Sequence, residues 1–455
     1  MKYTPFNTYE IFILTISLLL SMCLHANFMD TKDVVEIHFF LYIALILINL
    51  SKSKRFTLYQ LWIAAFVFMI WSEMMILSYD AYDARKYAVS IAFLLAANDT
   101  LLLGYEFFTT RIKKGMLTKN RVVTRASHIP WMLTIAVAVY LFGVWQSLLQ
   151  TILGGRGSNL GEITGSGSIW GVIVGTLGLL IPAFSAYYFK YCTKRSVWLS
   201  LIWAMPVFTT QLLLGTRFRL LFMIIPYLIL LGIVDVRRLN FRKLSILLLF
   251  VLLLGSVSGF VKTNRDRSVD DILNGGPSME GGKKGEPVLA KIADKMSAEG
   301  VVYMTELANR YFSNHELRYG QEISFAFYFV IPRSIWPSKP TPVDYWLVRK
   351  YENVHDSFSS ASGFCGEIRA DFGMACFISL FLWGGVLFWL DLLCYNIYKQ
   401  DGPFFNKVLV AIIYPYIFFF VRSPLTASQA FIFELLVYYI VKRILTIEVA
   451  EATST

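Results

Sequence analysis

The segment Gly215-Thr216-Arg217-Phe218-Arg219 joins two apolar runs and sets two guanidinium groups at the start of the second. A helix N-terminus carries partial positive charge and free N–H groups, and arginine adds a fork of donors. Arg217 and Arg219 together therefore suit an anion such as a diphosphate. Interfacial arginines also reach headgroups with no further role. A second cluster is Ile331-Pro332-Arg333-Ser334-Ile335-Trp336-Pro337-Ser338-Lys339-Pro340. Its three prolines oppose a continuous helix and hold Arg333 and Lys339 on a stiff backbone, with Trp336 free to stack on a sugar or anchor at an interface. The third is His355-Asp356-Ser357 followed by Ser362-Gly363-Phe364-Cys365-Gly366-Glu367-Ile368-Arg369-Ala370-Asp371-Phe372-Gly373. Helical spacing puts Glu367 and Asp371 on one face. A carboxylate or imidazole beside a desolvated anion can act as a general base, so Glu367 and His355 are the candidates. The plainer alternatives are a Glu367–Arg369 pair and a surface histidine. Arg422, in Phe420-Val421-Arg422-Ser423-Pro424, ends an apolar run and needs an anionic partner or a wet cavity. Asp99 lies near the middle of its run, where an unpaired carboxylate is costly, and marks a functional site or a structural pair. Glu73, Glu106 and Glu434 stand nearer run ends.

Apolar runs position these residues. They fall near 10–28, 36–50, 58–78, 88–108, 130–149, 169–189, 198–215, 220–236, 244–261, 375–398, 408–422 and 431–448. The 455 residues are 56% hydrophobic and 16% charged, where a soluble domain is about a quarter charged. Crossing roughly 30 Å of hydrocarbon takes about twenty apolar residues. Leu244–Phe260 and Phe377–Leu390 carry no charge at all. The expected fold is an all-α polytopic membrane protein of about twelve transmembrane helices. The first run, Ile11–Phe28, lacks a strongly basic leader and a small-residue cleavage site, and reads as a retained helix.

Lys and Arg concentrate in alternate connections: Lys52, Lys54 and Arg55; Arg111 to Arg125; Lys190, Lys194 and Arg195; Arg237 to Lys243; Lys442 and Arg443. Such loops stay in the cytoplasm, which puts both termini there. Two features break the short-loop pattern on the other side. Gly154–Ser168 is rich in Gly and Ser and reads as a mobile loop. Lys262–Met374 is far longer than an ordinary connection, which divides the chain into spans at 1–261, a large loop at 262–374 and spans at 375–455. Within that loop, apolar residues recur at helical spacing at Leu289, Ile292 and Met296, and at Met304, Leu307 and Tyr311. The apolar stretch Ile323–Ile331 is too short to span and is expected to lie on the bundle or dip into it.

Several function classes drop out. The net charge of +11 sits in the short connections as a topology signal, with no zinc-finger spacing or aromatic–basic interleaving for nucleic acid. Five cysteines show no CxxC spacing and imply no disulfide framework. The sequence holds no P-loop, GxSxG, HExxH or EF-hand pattern, and no outer-loop carboxylate pair for a nucleotide-sugar metal, so neither metal nor cofactor is expected.

The Gly215-Thr216-Arg217 turn resembles the Wzy-type O-antigen polymerases, the bacterial oligosaccharide repeat-unit polymerases. So do the Ile331-Pro332…Trp336-Pro337…Lys339-Pro340 run and the Gly366-Glu367…Asp371-Phe372-Gly373 approach to a span. The layout is similar to that of the enterobacterial common antigen polymerase. Where that family often has Tyr-x-Asn-Phe-Gly after Gly-Glu, this chain has Ile368-Arg369-Ala370-Asp371-Phe372-Gly373, which leaves Arg369 and Asp371 without a clear role. The resemblance implies a metal-independent glycosyltransferase of the GT-C kind in the bacterial inner membrane, working at the periplasmic face. Its substrates would be undecaprenyl-diphosphate-linked oligosaccharides, the growing chain passing from one carrier to a sugar hydroxyl on the next unit, with a chain-length-regulating co-polymerase as a further partner. On that reading Arg217, Arg219, Arg333 and Arg422 hold diphosphate, Glu367 or His355 orients and deprotonates the acceptor, and Trp336, Lys339, Arg369 and Asp371 meet the glycan. The alternatives are a lipid-linked oligosaccharide flippase or transporter, which Asp99 favours, and an O-antigen ligase. Ionisable groups gathered at one face, without inverted repeats, weigh against transport.

Overall fold

The computed structural model describes residues 8–53, 56–111, 122–124, 126–154, 169–213, 219–230, 300–328, 331, 335–352, 362–399 and 404–448. In chain order the helices are α1 (Thr8–His25), α2 (Thr31–Ser53), α3 (Leu58–Tyr79, with a π turn at Val67–Trp71) and α4 (Ala81–Arg111). Next come α5 (Ile129–Gly154), α6 (Ile169–Tyr187), α7 (Leu201–Leu213) and α8 (Arg219–Leu230). The large loop contributes α9 (Val301–Asn314), α10 (Gln321–Tyr328) and α11 (Val343–Glu352). The chain continues through α12 (Gly363–Phe372), α13 (Cys376–Lys399), α14 (Phe404–Arg422) and α15 (Pro424–Leu445). Two short strands, β1 (Val122–Thr124) and β2 (Thr446–Glu448), pair antiparallel.

Among the described residues, eight helical segments are long and apolar enough to cross a membrane: α1 to α6, the stretch Gly363–Ile397, and α14. The chain is an all-α polytopic membrane protein. Helices overrun their apolar cores where polar residues can cap them. Asp80, for example, accepts N–H bonds from Tyr82 at 2.9 Å and Asp83 at 3.3 Å, so α4 starts well before the apolar run expected at 88. The runs at 198–215 and 220–236 form shorter helices, α7 and α8, each with an internal proline (Pro206, Pro226). The run at 244–261 and the segment 155–168 lie outside the described residues.

The two ends of the bundle differ. At one end Lys52 pairs with Glu10, Tyr414 donates to the Phe56 carbonyl, and β1 joins β2 beside the last turn of α15; this is the basic end. At the other end α9 to α12 form a layer with its own small core of Met304, Leu307, Phe312, Val343, Leu347 and Ala370. The spacing of Met304, Leu307 and Tyr311 does mark a helix, α9. α10, eight residues long, lies against α12 and α15 rather than spanning.

α4 is the spine, with α1 on one flank and α13 on the other. Its contact with α13 is backbone to backbone. A Cβ on Gly104 would meet the Phe381 carbonyl oxygen at 2.0 Å, and one on Gly384 the Leu101 oxygen at 2.1 Å. Small residues are how membrane helices come this close, because van der Waals contact must replace the missing hydrophobic drive. Gly384→Leu should therefore cost at least about 1–3 kcal/mol, read as a lowered melting temperature of the purified protein in lipid nanodiscs. An unchanged melt would rule out this helix crossing.

Candidate functional site

Each helix of the loop layer starts where its first N–H groups would be buried, and each is met by a carboxylate from elsewhere. Glu73 of α3 accepts the N–H groups of Val301 at 2.9 Å and Val302 at 3.1 Å, receiving α9. Asp371 of α12 takes those of Glu322 and Ile323, both at 3.0 Å, at the start of α10. Glu322 of α10 takes the Val343 N–H at 3.2 Å, opening α11. Asp344 of α11 then accepts the N–H of Ser362 at 3.0 Å and its hydroxyl, just ahead of α12. α10, α11 and α12 thus close a ring in which each supplies the carboxylate for the next. Gly363 permits the tight entry to α12. Its φ is +68°, and a Cβ there would meet Val301 Cγ1 at 2.5 Å.

The ring meets the membrane helices at Ser423, in the break between α14 and α15, where Pro424 starts α15 without needing an N–H partner. Ser423 Oγ lies 2.8 Å from Asp344 Oδ2 and 2.6 Å from Glu367 Oε1. A hydroxyl has one hydrogen, so Ser423 can donate to only one of the two carboxyls at a time. Burial pushes the Asp344 carboxyl up, while hydrogen bonds from Ser362 and Ser423 and the positive charge of Arg422 pull it back. Arg422, half-buried, is thus brought beside this carboxyl pair. Asp344 serves the ring, and Glu367 accepts from the Ser423 hydroxyl.

The remaining candidates disperse. Asp371 shares the α12 helix with Glu367 but is occupied in receiving α10. Arg369 is buried, donating to Asn309 Oδ1 at 3.4 Å and lying 5.9 Å from the Phe93 ring centre, so it is not the partner of Glu367. Asn309 links onward to Ser90, whose hydroxyl donates to Glu306 at 2.6 Å; Glu306 also takes the Arg310 guanidinium at 2.6 Å. Lys339 is buried, with its ammonium on the Ile331 carbonyl and near the Phe325 ring. Trp336 bonds to Ser338 and packs on Tyr328 while staying partly exposed. Arg219 opens α8, though its side chain lies outside the described residues, as do Arg217, Arg333 and His355 altogether. Sequence reasoning missed Asp344, Ser423, Glu322 and Arg318. An Asp or Glu in the first turn of a helix reads as favouring its own helix, and nothing local reveals that it receives another.

Next to the cluster a small apolar cleft lies between membrane helices. Its upper wall is Phe364, Ile368, Phe420 and Pro424, the chain neighbours of Glu367, Arg422 and Ser423; deeper it reaches Leu101 and Leu390. Every lining residue is apolar. Among the described residues no three His, Cys, Asp or Glu side chains converge as a metal site. Comparison with family models, curated proteins and solved structures finds no match to this chain.

Arg318 sits 2.5 Å from Glu322 and donates to the Thr341 carbonyl at 2.8 Å. Even so, burial pushes the Glu322 carboxyl up to about 8 from an ordinary 4.5; Arg318 and the Val343 N–H offset only part of the rise. A carboxyl raised on folding binds its proton more tightly in the folded state. Its contribution is full below about 4.5 and is lost as pH rises through about 8. Hydrogen exchange of the 318–345 segment should speed up between pH 6 and 9 beyond the intrinsic increase, and Glu322→Gln should remove that excess.

Proposed function

We propose that the chain is a polymerase of lipid-linked oligosaccharide repeat units, of the Wzy type that its sequence motifs resemble. What carries this reading is one juxtaposition: a buried carboxyl pair bridged by Ser423 beside Arg422 stands next to an apolar cleft between membrane helices. An undecaprenyl diphosphate has that shape of chemistry, a charged head on a long hydrocarbon tail. In this scheme the tail lies along Phe364, Ile368, Leu387 and Leu390. The diphosphate meets Arg422, joined by Arg217, Arg219 and Arg333 from the neighbouring segments. Glu367 takes the proton of the acceptor sugar hydroxyl as its oxygen attacks the anomeric carbon. The bond from that carbon to the diphosphate oxygen breaks, and the leaving group departs with the electron pair as guanidinium charge stabilises it. Ser423 can pass the proton on to Asp344.

The twelve-span GT-C arrangement, the inner-membrane location with cytoplasmic termini, and the periplasmic working face belong to this proposal. The basic end would face the cytoplasm. Trp336, partly exposed next to Tyr328, suits glycan stacking, whereas the buried Arg369, Lys339 and Asp371 would act by holding the layer in place.

Purified protein in nanodiscs, given only the lipid-diphosphate oligosaccharide with no nucleotide or metal, should produce a ladder of polymer. Glu367→Gln and Arg422→Ala should each slow this by about a hundredfold or more while melting near the wild-type temperature. Polymer formation at the wild-type rate in both would overturn the assignment. In cells the same variants should leave single repeat units on the surface glycan. Loss of all surface repeats would indicate a flippase, and polymer retained on the carrier a ligase. Leu387→Trp, which fills the cleft, should raise KM for the long-tailed carrier substantially more than for a short-chain isoprenoid analogue.

A further inference from the structure

Inside the bundle, three fully buried titratable side chains meet between α1, α2 and α4: His38, Tyr42 and Asp99. The Tyr42 hydroxyl donates to Asp99 Oδ1 at 3.0 Å. Asp99 Oδ2 has no hydrogen-bond partner and faces His38 Nε2 at 3.8 Å. The ring's other nitrogen, Nδ1, is 2.7 Å from the Val34 carbonyl oxygen, which can only accept, so Nδ1 carries a hydrogen.

The state of Nε2 follows from its neighbours. It is 3.2 Å from the Ser17 carbonyl oxygen and 3.2 Å from Ser21 Oγ. The Ser21 hydroxyl in turn lies 3.1 Å from that same Ser17 oxygen, where its hydrogen is engaged. Nε2 therefore faces a carbonyl, a hydroxyl lone pair and a carboxylate. A neutral ring would require Ser21 to turn its hydrogen away from Ser17, and it would leave Asp99 either as an unpaired charge or as an acid whose Oδ2 hydrogen reaches no acceptor among the described residues, Oδ1 being taken by the Tyr42 hydroxyl. Uncompensated buried charge is among the costliest arrangements in a protein, more so in a membrane.

We infer that His38 and Asp99 form a proton-binding site inside the bundle, with His38 held as imidazolium by Asp99 and the bound proton tying α1 and α2 to the α4 spine. The site is independent of the proposed glycan chemistry. Around it lie Tyr42 from the histidine's own helix, Glu106 two turns further along α4, Glu10 of α1 with its partner Lys52, and Tyr59 of α3, which feels the charges of Glu106, Glu10 and Asp99. The Tyr59 hydroxyl and Glu10 Oε1 are buried without a hydrogen-bond partner.

The chain has five histidines. Replacing His25, His128, His315 and His355 with Gln leaves His38 alone in an otherwise full-length protein, without touching the site. Nitrogen-15 spectra of that protein, histidine-labelled in lipid nanodiscs at pH 7.5, should show both ring nitrogens protonated. Adding Asp99→Asn should convert the ring to a neutral tautomer. A second measurement does not need the spectra. The melting temperature of the wild type should fall as the pH is raised, and that fall should shrink in the His38→Gln, Asp99→Asn double variant. A neutral ring at pH 7.5 in the single-histidine protein, or the same pH dependence in the double variant, would overturn the proposal.

Discussion

A helix that begins inside a protein leaves its first N–H groups pointing at whatever lies ahead of it, and in a membrane bundle that is seldom water. Here the answer recurs: a carboxylate on another element fills the gap. Glu73 does so for α9, Asp371 for α10, Glu322 for α11 and Asp344 for the entry to α12. Within the bundle, Asp391 of α13 likewise accepts the Leu58 N–H at the start of α3 at 2.9 Å, alongside the capping box of Thr57 and Gln60. Each arrangement cancels two costs together, the unpaired donors and the buried charge. Because α10, α11 and α12 do this for one another in a closed circuit, none of the three can move without leaving the first N–H groups of the next without their acceptor. That circuit is what makes a stiff platform from short helices whose own apolar core is small.

The eight helical segments long and apolar enough to span were legible because their cause is local. Uninterrupted apolar sequence such as Phe377–Leu390 has one physical meaning, and its helix follows. α9 was legible for the same reason, through the spacing of Met304, Leu307 and Tyr311. The roles of the acidic residues were not, because a capping carboxylate and the helix it caps are separated in sequence by amounts that only the fold decides: Glu73 and Val301, or Asp371 and Glu322. Glu73 stood near the end of a run and looked unremarkable, yet it fixes the loop layer to the bundle. Asp371 shares the α12 helix with Glu367 as helical spacing required, but the two carboxylates go to unlike partners. Asp99 was conspicuous from its depth alone, and the structure supplies the partner that depth demands.

Placed against that background, Glu367 differs from its acidic neighbours. The ring carboxyls each accept backbone N–H groups at the start of another helix, which commits them to structure. Glu367 is bonded to a side-chain hydroxyl that already serves a second carboxyl, an arrangement in which a proton can shift between oxygens with little rearrangement. It also stands on α12, whose Phe364 and Ile368 form the top of the apolar cleft. One ten-residue helix therefore presents an apolar wall, a proton acceptor and a capping carboxylate on adjacent faces. If the ring fixes that helix, it fixes all three relative to one another. A substrate with a hydrocarbon tail and a charged head needs this kind of alignment, because its two halves demand opposite surroundings within a few ångströms. On the polymerase reading, the capping circuit is then part of the chemistry: misplacing α12 by one ångström would separate the base from the head of a carrier whose tail is already committed to the cleft.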